Sequence, residues 1–167
     1  MKKIFNIYLL LFCLLISINV SAQVQSIRIS INGLTCSQCS KSVEMRLKKL
    51  SFISKVDMDL QNTEAKISLK KDAKIDLNKV ADAVTDAGFS VNTFWVNYQF
   101  PSVNYGDQNC ISTKDGIFML INNNTAITQE VIVLGKKFNA DKKYQKIPQT
   151  LKEITCKGGN IYYLQAP

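Results

Sequence analysis

Ile27, Ile29 and Ile31 alternate with Arg28, Ser30 and Asn32, the period-two pattern of a strand with one face buried. A short polar stretch follows. Cys39, Val43, Leu47 and Leu50 then recur at intervals of four, four and three, which puts one apolar stripe on a helix. Thr35 with Gln38 forms a candidate capping box for that helix, and Ser37 is a competing cap. Val56, Met58 and Leu60 alternate with Asp57 and Asp59 to give a second strand, and Met45 and Met58 are expected in the core. Gln61-Asn62-Thr63 is a polar turn, and Ala65, Ile67 and Leu69 form a third strand that closes a hairpin. Asp76 caps a second amphipathic helix through Leu77, Val80, Ala81, Val84 and Ala87, which Gly88 stops. A fourth strand is predicted to start at Phe89. The order β-α-β-β-α-β predicts an α+β, ferredoxin-like unit over residues 23–95, two helices on one face of an antiparallel sheet.

Residues 96–167 read differently. Their apolar runs are short and β-prone: Thr93 to Phe100, Ile117 to Ile121, Glu130 to Leu134 and Asn160 to Leu164. Turn residues separate them, as at Lys114-Asp115-Gly116, and Pro148 is placed to start a short helix. A small, mostly β second domain is expected here, with a barrel as one form of it. No Gly/Ser linker marks the boundary, so the fourth strand is free to run into the second unit.

Residues 1–22 carry a different pattern. Lys2 and Lys3 precede an apolar run from Ile4 to Val20, and Val20-Ser21-Ala22 offers small residues for a signal peptidase. This predicts a cleaved leader, an exported mature chain beginning at Gln23, and a periplasmic or secreted location without a membrane anchor. Cys13, inside the run and after bulky Phe12, is a poor lipid-attachment site. The formal charge of +8 falls to +6 without the two leader lysines. It is spread evenly, and no arginine-rich or basic-aromatic stripe points to nucleic acid. The chain has no histidine, which excludes His-ligated zinc and His-based acid-base chemistry.

The chemistry therefore concentrates in Gly33-Leu34-Thr35-Cys36-Ser37-Gln38-Cys39-Ser40, between the first strand and the first helix. This loop, the element order, and Asp86-Ala87-Gly88-Phe89 before the last strand resemble the heavy-metal-associated domain family. That family includes copper chaperones, modules of copper-transporting ATPases and a periplasmic mercury-binding protein. The resemblance covers residues 24–95. It departs at Leu34, where the family usually has a Met that packs beneath the loop, and Leu for Met nearly conserves volume. The resemblance implies that Cys36 and Cys39 bind the metal, that Leu34, Thr35 and Phe89 support the loop, and that metal passes to a transporter or other partner protein by ligand exchange.

Thiolates favour soft ions, Cu(I) first, with Hg(II) or another soft metal as alternatives. Two of them suffice for near-linear coordination, whereas Zn(II) asks for four ligands. The same spacing occurs in thiol-disulfide oxidoreductases, so a redox module built on Cys36 and Cys39 is the alternative. Thioredoxin-type motifs carry an aromatic before the first cysteine, and Thr35 stands there. A further alternative gives the main function to partner binding by the second domain. Cys110 and Cys156 are expected to form a structural disulfide, a bond common in exported proteins, with a second dithiol site as the sharper reading. Among these readings, a non-enzymatic carrier or scavenger of Cu(I) fits the residues best.

Overall fold

The computed structural model describes residues 23–99, 110–121, 128–152, 156 and 159–167; the expected leader at 1–22 lies outside them. The first half follows the predicted order: β1 (Gln23–Asn32), α1 (Ser37–Lys48), β2 (Ile53–Asp59), β3 (Glu64–Leu69), α2 (Leu77–Asp86) and β4 (Ser90–Gln99). β1 lies between β3 and β4, antiparallel to both, with Ile29 opposite Ala65 and Phe94. Ile27, Ile29 and Ile31 are buried with Val43 and Leu47 of α1 and Val80, Ala81 and Val84 of α2. Each aliphatic side chain removed from water in this way contributes roughly 1.5–3 kcal/mol before entropy is charged. This is the α+β, ferredoxin-like arrangement the periodicity predicts.

Three details of this half differ from the sequence reading. β2 ends at Asp59, whose carboxylate accepts the Asn62 backbone N–H at 3.1 Å and closes the turn early. Leu60 is therefore in the turn and 43% exposed. Met45 is 51% exposed on the outer face of α1, while Met58 is half-buried against the core. β4 begins at Ser90, one residue after Phe89.

The second half contributes β5 (Cys110–Thr113), β6 (Gly116–Leu120), β7 (Thr128–Val133), α3 (Lys142–Gln145), α4 (Gln149–Lys152) and β8 (Ile161–Gln165). The described strands make one open eight-stranded sheet, β2-β3-β1-β4-β7-β8-β6-β5. No barrel closes among them. The reason is β4, whose ten residues pair β1 along one edge and β7 along the other, Trp95 facing Ile132 and Gln99 facing Thr128. The expected boundary at 95/96 thus falls inside a strand, and one core runs across it. Phe94, Phe138, Tyr162, Phe118 and Tyr98 form a chain of ring contacts, with centroids 4.8–6.2 Å apart. On the opposite face Ile117 and Met119 of β6 are covered by Leu151, with Ile147, Cys110 and Cys156 around them.

Three contacts tie the added strands to the first half. Arg28 of β1 reaches across β4 to donate to both Glu130 oxygens at 2.9 and 2.8 Å, donates to Glu64 at 2.7 Å, and lies 3.8 Å from the Trp95 ring centroid. Tyr162 donates at 3.2 Å to Asp76, the carboxylate that caps α2. Asp115, in the β5–β6 turn, accepts the Ile75 backbone N–H at 2.7 Å.

Candidate metal-binding loop

The loop begins where β1 ends. Gly33 takes φ +80°, and a Cβ there would stand 3.8 Å from Phe89 Cδ1; glycine reaches this left-handed conformation without penalty. Thr35 N–H donates to Gly33 O at 2.9 Å, tightening the turn. Leu34 is fully buried beneath it, while Thr35, Cys36, Ser37 and Gln38 are exposed. Phe89 is half-buried, packs on the core and sits beside Gly33. The structure therefore gathers Leu34, Thr35, Cys36, Cys39 and Phe89 at one end of the ferredoxin-like unit.

The cap of α1 is neither Thr35 nor Ser37. It is Cys36, whose extended backbone (φ −134°, ψ 154°) directs Sγ to accept the Cys39 backbone N–H at 3.0 Å. A capping sulfur is missed by a search for Ser, Thr, Asp and Asn, the usual caps; its signal is the position of Cys36 three residues before a core-facing helical residue. Cys39 lies one turn in, half-buried against the core. The two cysteines form a disulfide, with Cα atoms 5.1 Å apart. No acidic residue occupies the first turn of α1, so the positive helix end is left to the sulfurs. Among the described residues no group of three or more Cys, Asp and Glu stands ready to hold an ion.

Cys110 and Cys156 are brought together on the far side of the added strands, Cα atoms 6.3 Å apart, where they join β5 to the segment after α4. On the cysteine helix Lys41 and Lys48 both pair with Glu44, and Lys48 with Lys41 holds its carboxyl below the usual range.

A ferredoxin-like α+β unit with two cysteines at the β1–α1 junction is the architecture of a small metal-handling domain. The chain belongs to the heavy-metal-associated domain family, which it matches over residues 28–90. It is similar to the mercuric transport protein periplasmic component of Pseudomonas fluorescens, 36% identical over 70 residues, or 42% of this chain and 76% of that one. The protein of the same name from an Alcaligenes species is 34% identical over the same shares. Among solved structures, oxidized MerP from Ralstonia metallidurans CH34 is 30% identical, covering 43% of this chain and 96% of that one, with a TM-score of 0.36. Residues beyond 90 lie outside the family match.

Proposed function

We infer that this chain is an exported carrier or scavenger of a soft heavy-metal ion, not an enzyme, and that Cys36 and Cys39 hold the ion between two thiolates. The observation that carries this reading is the loop itself. Two sulfurs are brought together at an exposed helix start, one of them already accepting a backbone N–H. That setting favours negative charge on sulfur and offsets the charge of a dithiolate. Low coordination suits Cu(I) and Hg(II), and the names of the relatives put Hg(II) beside Cu(I) as cargo. The leader at 1–22 and a periplasmic location accord with those names. The exposed loop suits transfer to a partner protein, such as a membrane transporter, through shared thiolate coordination.

The test is a competitive titration of the reduced protein with Cu(I) and with Hg(II) against a chromophoric chelator, beside the Cys36→Ser/Cys39→Ser variant. One tightly held ion, lost in the folded variant, is expected. Equal binding by both proteins would overturn the reading. The closed Cys36–Cys39 pair favours a second reading, a thiol-disulfide oxidoreductase. That role requires catalysed dithiol exchange and a reduction potential near that of the compartment, so measuring both on the same sample separates the two.

A further inference from the structure

Within the connection from β7 to β8, residues 135–146 carry Lys136, Lys137, Lys142, Lys143 and Lys146 against one carboxylate, Asp141, which caps α3. All five lysines are exposed. Lys137 pairs with Asp82 of α2 at 2.8 Å, and Lys143 lies over the Tyr144 ring. Among the described residues Lys136, Lys142 and Lys146 have no ion pair. The backbone under these charges is firmly held. Phe138 is buried against Phe94 and Tyr162. Asn139, 1% exposed, donates from Nδ2 to Val133 O at 2.7 Å, and Gln145 Nε2 donates to Asn139 O and Ala140 O at 3.0 and 2.9 Å. Gly135 N–H donates to Tyr144 O at 2.9 Å, closing the loop on itself.

The loop is also fixed in place. Ala140 N–H donates to Asn92 O at 2.9 Å. Asn92 lies two residues after Ser90, and Ser90 pairs with Asn32, the residue just before Gly33 of the cysteine loop. The loop that bears the lysines is thus anchored, at Ala140, to the end of β4 that borders the cysteine loop, where metal would be exchanged, on a segment outside the family match.

We propose that this lysine-bearing loop is a docking surface for an acidic face of the protein that exchanges metal with Cys36 and Cys39. It builds on the carrier reading above and adds the chemistry of the partner. A held array of unpaired cations raises the encounter rate with an acidic surface and orients it, and salt screens the effect. A protein is favoured over a lipid surface for two reasons. Among the described residues the large exposed apolar side chains are Met45, Leu60 and Ile161, and only Ile161, 37% exposed at the start of β8, borders this connection, too little for insertion. Cargo held by two thiolates also leaves by exchange with thiolates of another protein.

The probe is a synthetic acidic peptide bearing a Cys-x-x-Cys pair, with a neutral peptide of the same length as control. Docking of the labelled peptide, its own cysteines blocked, is read by fluorescence anisotropy on oxidised, metal-free protein, and transfer from the metal-loaded peptide by stopped flow. The acidic peptide is expected to exchange about tenfold faster than the neutral one at low salt, with the advantage vanishing at high salt. Lys136→Glu/Lys142→Glu/Lys146→Glu should abolish the advantage while leaving the metal affinity unchanged. The control Lys49→Glu/Lys55→Glu/Lys70→Glu, equal in charge change and remote from the loop, should retain it. Equal loss in both variants would overturn the proposal, as would no loss in the first. Loss of binding to phosphatidylglycerol vesicles with unchanged peptide docking would assign the loop to lipid and likewise overturn it. Because docking is read without metal, failure of the carrier reading leaves this test standing.

Discussion

Cys36 has two duties that substitution can separate. As the cap of α1 it accepts a backbone N–H, and once the pair is reduced its exposed thiol is the accessible member. Cys36→Ser replaces the sulfur with another capping acceptor, so the fold is expected to persist while metal binding is lost. Cys36→Ala removes the acceptor as well and is expected to cost about 1 kcal/mol of stability, measurable as a lower chemical-denaturation midpoint than that of Cys36→Ser. Equal midpoints for the two variants would show that the sulfur does not cap. Exposure and the helix end also make Cys36 the faster thiol. In reduced protein, iodoacetamide followed by peptide mass mapping should label Cys36 several times faster than Cys39, which is half-buried against the core. The reverse order would mean that the helix end does not act on Cys36.

At the level of elements, the contact most exposed to test is the Arg28 cluster, because one side chain links β1, β3, β4 and β7. Glu130 and Trp95 together hold the guanidinium over the sheet, and the hydrogen bonds that Arg28 donates to Glu130 lead the causes that raise the Arg28 pKa. Arg28→Ala removes the fork and the ring contact together and should lower stability by about 1–2 kcal/mol; Glu130→Ala, losing one half-exposed pair, should cost under about 1 kcal/mol. Thermal melts in low and high salt would check both, since the ion-pair part should shrink with salt. These links explain what the sequence reveals and what it hides. Alternation in Ile27–Ile31 and the four-residue spacing from Cys39 to Leu47 state which face is buried, so the ferredoxin-like unit and its cysteine loop are legible. Nothing in Ser90–Gln99 says that both edges of the strand are taken, because edge pairing is a backbone property and leaves side-chain alternation unchanged. Cys110–Thr113 is too short to show a period, and Leu60 keeps the alternation of β2 after the Asp59 turn has ended the strand.

For the molecule as a whole, the joint between the two halves is where stability and pH meet. Asp115 is 4% exposed; one oxygen accepts the Ile75 N–H, while the other has no hydrogen-bond partner among the described residues. Burial pushes its carboxyl above the ordinary Asp range, against the opposing effects of the Ile75 N–H and of Lys114 and Lys74. The sign follows from linkage. An acid whose folded pKa is raised holds its proton more tightly in the native state than in the unfolded chain. Its contribution is then fully present below the unfolded value, near 3.9, and is lost as pH rises through the folded value. Glu44 and Asp59, held below the usual range by Lys48 with Lys41 and by Asn62, pull the other way, losing stability as pH falls. The Asp115 component is therefore isolated by difference. Asp115→Asn keeps the acceptor for Ile75 and cannot ionise, so the stability of the variant relative to the wild type should rise with pH from about 4 and level off above the folded pKa. Urea denaturation of both proteins from pH 3 to 8 reads this directly. A difference that stays flat would mean that Asp115 ionises as freely in the fold as in the unfolded chain, and that the joint to α2 is wet. A rising difference makes the joint dry, with the Asp115 carboxyl shielded from solvent where the β5–β6 turn meets the segment leading into α2.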